Sequence, residues 1–143
     1  MKNKKFVLID DENAHNLICR INLQKVIYDA EVLSFSYPPD ALNYLRKSKT
    51  EQGVETIVLV DLSMPIMDGF EVLDEMSTFL VPDKKSNTEV FVCSSTINQD
   101  EVYQSMAHSL VKGFIEKPLT SDKIMELFVN KHITSSFHHL NHA

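Results

Sequence analysis

The chain has 143 residues, 43% of them hydrophobic and 24% charged, with a formal net charge of −6 when histidine is neutral, the size and balance of one globular domain. Its lysines form no stripe, which excludes a general nucleic-acid surface, and no apolar run approaches the length of a membrane span. The basic start at Lys2, Lys4 and Lys5 is followed by only four apolar residues before Asp10, Asp11 and Glu12, unlike a secretory signal, so a cytoplasmic location is expected.

Five short runs rich in β-branched or aromatic residues read as strands, at 5–10, 31–35, 56–61, 89–94 and 113–116. Helical spacing fills the gaps between them. Leu17, Ile18, Ile21, Val26 and Ile27 mark the first helix, and Pro38 and Pro39 suit the first turn of the second. Phe70, Val72, Leu73, Met76 and Leu80 mark the third, while residues 81–88 are polar and read as an extended loop before the fourth strand. The last helix is expected from Thr120 or Ser121 to about residue 130, with Ile124, Leu127 and Phe128 on its core face. Beyond it a tail with His138, His139 and His142 is expected to fray; His138 and His142 are spaced for a metal, but no further ligand accompanies them. Cys19 and Cys93 form no CxxC pair and read as reduced thiols.

Strands joined by helix-length connections imply a parallel α/β sheet covered on both faces. Ligands in such sheets bind beyond the carboxyl ends of the strands, where strand order reverses. Here those ends carry Asp10 and Asp11, then Asp61, then Ser94 and Ser95, and finally Lys117 followed by Pro118. Crowded carboxylates resist joint ionisation unless a cation joins them, and a small divalent ion meets that need. A nucleophilic Asp can form an acyl phosphate, for which Lys117 and Ser94 are suitable partners. The plainer alternative is that Asp11 or Asn13 merely caps the following helix. The glycines at 53, 69 and 113 form no nucleotide-binding loop.

These residues resemble the receiver domains of two-component response regulators over roughly residues 4–131, with 132–143 as a short tail. The closest match to that family's pattern is Val58-Leu59-Val60-Asp61-Leu62-Ser63-Met64-Pro65-Ile66-Met67-Asp68-Gly69-Phe70-Glu71. The resemblance implies a flavodoxin-like, doubly wound sheet of order 2-1-3-4-5 with five helices. It implies Asp61 as phosphoacceptor, Mg2+ or Mn2+ held by Asp10, Asp11, Asp61 and the backbone carbonyl of Ser63, Ser94 as the switch hydroxyl with Ser95 beside it, Lys117 as phosphate partner before a cis proline bond, and Phe114 as an aromatic switch position. Ser94 stands where Thr is commoner. The implied partners are a sensor histidine kinase or phosphotransfer protein and a downstream protein reading the face at about 98–130, with neither nucleic acid nor membrane involved, and the protein a monomer or a phosphorylation-dependent homodimer. No output domain is evident, so a stand-alone regulator is expected. A turnover phosphatase using a nucleophilic Asp would need a second Asp two residues on, where this chain has Ser63; the expected activity is a signalling switch with self-catalysed phosphotransfer and slow loss of phosphate. A receiver that binds without being phosphorylated is disfavoured by the complete residue set.

Overall fold

Parallel strands cannot be joined by tight turns, and here every crossover between them contains a helix. The computed structural model describes residues 3–48, 53–80 and 87–130. Within them the elements run β1 (Asn3–Ile9), α1 (Asn13–Val26), β2 (Glu31–Phe35), α2 (Pro38–Lys47), β3 (Val54–Asp61), α3 (Gly69–Met76), β4 (Thr88–Ser94), α4 (Gln99–Ala107), β5 (Val111–Glu116) and α5 (Ser121–Ile124), which continues as a π-turn over Met125–Val129. The strands form one sheet of order β2-β1-β3-β4-β5, with every pairing parallel, as the flavodoxin-like expectation required. Of the loop expected at 81–88, residues 81–86 lie outside the described residues, as does the histidine-containing tail, and Thr88 already opens β4.

The two-residue period of the strands sorts their side chains into two cores. Val7, Ile9, Val58, Val60, Val90 and Val92 share one face with Phe114 and the buried sides of α2 and α3. Phe6, Leu8, Ile57, Leu59, Phe91 and Cys93 take the other, with Leu23 of α1 and Ile124 of α5. A strand covered on both sides needs apolar residues at every position, which is why β1 and β3 read as continuous apolar runs.

α1 forms where its apolar spacing predicted, but Leu17, Ile18 and Ile21 point to solvent, each about half exposed. The core-facing side instead carries Asn16, Cys19, Arg20, Leu23 and Val26. Its polar members are there because they complete backbone hydrogen bonds at strand ends: Asn16 Nδ2 donates to the Asp10 carbonyl at 2.9 Å, and Arg20 donates to the Val32 carbonyl at 2.6 Å. The apolar spacing therefore signalled the helix correctly, but of its five residues only Val26 and Ile27 pack against the core.

α4 is thinly anchored. Ser105 is its one fully buried residue, and its hydroxyl has no hydrogen-bond partner. The helix is also held at its end by His108, whose Nε2 lies 3.2 Å from Oδ1 of Asp74 in α3.

The last helix was expected to be uniform, and the structure divides it. Thr120 caps α5, its hydroxyl accepting from the Lys123 amide at 3.3 Å; the chain then widens into the π-turn, and both Ile124 and Phe128 remain buried. Phe128 meets Phe6 and Phe91 edge-on, each with ring centroids 5.3 Å apart. Replacing it removes a large buried ring bridging two strands. Phe128→Ala is expected to lower stability by about 3–5 kcal/mol, measured by urea unfolding; a loss under about 1 kcal/mol would show that this packing contributes little.

Candidate functional site

The chain leaves β1 toward β2 on one side and returns to β3 on the other, so the carboxyl ends of β1 and β3 flank the point where strand order reverses. Asp10 directly follows β1 and Asp61 is the last residue of β3. One carboxylate oxygen from each of Asp10, Asp11 and Asp61 falls within 4.8 Å of the others. Asp10 and Asp61 are buried, whereas Asp11 is half-buried. The capping alternative for Asp11 and Asn13 does not hold: the N-cap of α1 is Glu12, with no side-chain cap bond. Asp10 Oδ1 accepts from the Glu12 amide at 2.9 Å, orienting the carboxylate as the helix begins.

Lys117 enters from the turn after β5. Its Nζ lies 2.5 Å from Asp10 Oδ2 and 3.4 Å from Asp61 Oδ1. The turn that delivers it is fastened on every side. The Lys117 amide donates to the Ser94 carbonyl at 2.8 Å; Lys123 Nζ donates to the carbonyls of Glu116 at 2.6 Å and Pro118 at 3.2 Å; and Asn22 of α1 donates to the Leu119 carbonyl at 2.9 Å. The Lys117–Pro118 bond is cis, as expected.

The segment after Asp61 folds back onto the end of its own strand. The Gly69 amide donates to the Leu62 carbonyl at 2.9 Å, and a Cβ at Gly69 would lie 2.6 Å from the Asp61 carbonyl oxygen and 2.7 Å from Leu62 Cα. Only glycine permits that approach. Asp68 and Glu71 close a capping box at the start of α3, so the Asp68-Gly69-Phe70-Glu71 portion of the motif is accounted for by local packing. Ser63 is exposed, and its amide reaches Asp61 Oδ1 at 3.4 Å.

The remaining candidates gather less tightly. Ser94 is buried at the end of β4, but its hydroxyl faces Thr96, accepting from the Thr96 amide at 3.3 Å and lying 3.5 Å from its Oγ1. Ser95 lines the pocket with Asp61 and Lys117. Phe114 is buried under the α4 side of the sheet.

Two groups were not singled out in the sequence. Asn16 and His15 both line the pocket, His15 with its Nδ1 3.3 Å from Lys117 Nζ. The available signal was their place in the first turn of the helix that follows the acidic pair.

The pocket is a cavity of about 300 Å3 lined by Asp10, Asp61 and Lys117 together with an apolar wall of Leu8, Cys19, Leu59 and Cys93. This apolar wall has electrostatic consequences. Burial raises the Asp61 carboxyl to about 6, against the opposing pull of Lys117 and with some help from Asp10. Burial alone would lower the Lys117 ammonium, but its hydrogen bond and charge contact with Asp10 outweigh it, and Lys117 is raised. Burial also pushes the Cys19 thiol up to about 12. Cys19 and Cys93 are both free. The cluster of Asp10, Asp11 and Asp61 against one ammonium is anionic, and hard oxygen donors of this kind fit magnesium or manganese.

A sequence model described as the response regulator receiver domain matches residues 6–129. The chain is similar to the chemotaxis protein CheY of Listeria monocytogenes, 28% identical over 123 residues that cover 85% of this chain and 92% of that protein. Among solved structures it resembles a response regulator receiver protein from Dyadobacter fermentans, with a TM-score of 0.78 and 24% identity, covering 89% of this chain and 96% of the other. It also resembles the phosphorylated cyanobacterial phytochrome response regulator RcpA, with a TM-score of 0.68 and 26% identity, covering 92% and 97%. Among the described residues, no helix is long and apolar enough to cross a membrane.

A carboxyl that holds its proton more tightly when folded adds stability at low pH and loses it as pH rises from the unfolded value of 3.8 through about 6. Asp61→Asn stays neutral throughout. In metal-free buffer near neutral pH it is expected to be more stable than the unsubstituted protein by about 1–2 kcal/mol, after discounting for solvent screening, and the two are expected to converge near pH 4. Thermal melts across that range test this; a gain that does not change with pH would contradict it.

Proposed function

Because the chain belongs to the response regulator receiver family, we propose that Asp61 accepts a phosphoryl group and that its modification switches a protein-binding surface in two-component signalling. The observation that carries this reading is the convergence of Asp10, Asp11, Asp61 and Lys117 in one anionic pocket at the switch point of the sheet. Asp10, Asp11, Asp61 and the Ser63 carbonyl would hold a magnesium or manganese ion. When bound, that ion supplies charge neutralisation for the phosphoryl oxygens.

This chain's own residues account for the rest of the mechanism. An Asp61 carboxylate oxygen attacks the phosphorus of a phosphohistidine on a sensor kinase or phosphotransfer protein. The phosphorus–nitrogen bond breaks, its electron pair stays on the imidazole, and an acyl phosphate forms on Asp61. Lys117, already 3.4 Å from Asp61, pairs with the new phosphoryl oxygens. Ser94 turns from Thr96 toward the phosphate, and Phe114 repacks beneath α4. The output surface is then α4, β5 and α5, where Tyr103 is exposed. A protein phosphodonor is supported by the outward Leu17, Ile18 and Ile21 of α1, since Ile18 also lines the pocket. Ser63 and Thr96 offer no general base, consistent with slow loss of the phosphate and no turnover of other phosphate esters. These steps suit a cytoplasmic protein.

Incubation with phosphoramidate and magnesium is expected to add one acid-stable, base-labile phosphoryl group to the unsubstituted protein, read by intact mass, and none to Asp61→Asn. Equal labelling of the two would remove Asp61 from this role. Lys117→Ala is expected to retain labelling at a rate reduced at least roughly tenfold, by loss of an electrostatic partner.

A further inference from the structure

α1 begins beside Asp10, and its first turn brings an imidazole to the pocket. His15 Nδ1 is 3.3 Å from Lys117 Nζ and 3.6 Å from Asp10 Oδ2, and its Nε2 is 3.6 Å from Glu12 Oε2. An ammonium has three donors and no lone pair. In the contact with Lys117, then, Nδ1 is the acceptor and the ring proton sits on Nε2, toward Glu12. Lys117 thus has one acceptor for each of its donors: Asp10 Oδ2 at 2.5 Å, His15 Nδ1 at 3.3 Å and Asp61 Oδ1 at 3.4 Å.

These acceptors differ in what happens to them during the proposed reaction. Asp10 and Asp61 belong to the set that binds cation and phosphoryl group, so their hold on Lys117 weakens as those charges are neutralised. His15 stands outside that set. Until the phosphoryl oxygens are in place to accept from it, a lysine side chain with no fixed acceptor would sample many rotamers, and the pocket would lose a preorganised positive charge.

We infer that His15 is a positioning residue for phosphoryl transfer: it keeps Lys117 Nζ within reach of Asp61 while the two carboxylates are drawn toward other partners. The inference rests on the reading of Asp61 as phosphoacceptor. It extends that reading to a chain of contacts running from Glu12 through His15 and Lys117 to Asp61.

The side chain of His15 is 40% exposed, so replacing it leaves both cores intact. His15→Leu removes the acceptor. His15→Asn returns a carboxamide oxygen close to the place of Nδ1. With phosphoramidate as a small phosphodonor and magnesium present, His15→Leu is expected to lower the phosphorylation rate at saturating donor by roughly three- to tenfold, with magnesium affinity unchanged within about twofold, and His15→Asn to recover to within about twofold of the unsubstituted rate. Two-bond proton–nitrogen spectra are expected to show Nδ1 of His15 without a proton. The inference is overturned by a Leu variant as fast as the unsubstituted protein, by an Asn variant as slow as Leu, by magnesium affinity falling in step with the rate, or by a proton on Nδ1. An unsubstituted protein that takes up no phosphate overturns the phosphoacceptor reading along with it, whereas normal labelling of both the unsubstituted protein and the Leu variant removes only the role of His15.

Discussion

Asp10 and Lys117 meet at 2.5 Å, largely out of water, at the carboxyl end of a parallel sheet. Neither charge is tolerable there alone: a buried ion without a partner carries a desolvation penalty that a folded protein can ill sustain. That requirement fixes much of what surrounds them. Asp10 must be held by the Glu12 amide, and Asn16 must satisfy its carbonyl. The turn bearing Lys117 must be tied down by Lys123 and Asn22. α1 can then place Asn16 and Arg20 against the sheet beside Leu23 and Val26, while Leu17, Ile18 and Ile21 face solvent.

Much of the fold was legible because a sheet covered on both faces writes itself into the chain as apolar runs, and β2 falls on the very residues its run marked out. The acidic cluster was legible for a topological reason: in a doubly wound sheet, residues that follow β1 and β3 become neighbours whatever their separation in sequence. What escaped the sequence depended on particular side-chain geometry. Leu17, Ile18 and Ile21 have the spacing of a buried stripe, but the hydrogen bonds of Asn16 and Arg20 and the packing of Leu23 turn the opposite face to the sheet. The π-turn at Met125–Val129 has no signature distinct from a regular helix. His15 is a single imidazole with no recurrent spacing, and its partner lies 102 residues away along the chain.

Ser94 illustrates a further limit. Its position at the end of β4 follows from the sequence, but the direction of its hydroxyl does not. It points to Thr96, so the pocket described here is completed at that edge by Ser95. The Asp61 carboxylate therefore meets an apolar wall on one side and Lys117 on the other, and the wall prevails, leaving its proton more tightly held than in water.

The unsatisfied hydroxyl of Ser105 bears on which part of the molecule yields first. α2 and α3 each bury several residues, but α4 fully buries only Ser105, with Val102 and Met106 partly buried beside it, and that serine gains no bond in exchange for its lost water. Local opening free energies follow such differences in anchoring. Of these three helices α4 is accordingly the most lightly fastened, a panel on a rigid frame with Tyr103 exposed on it.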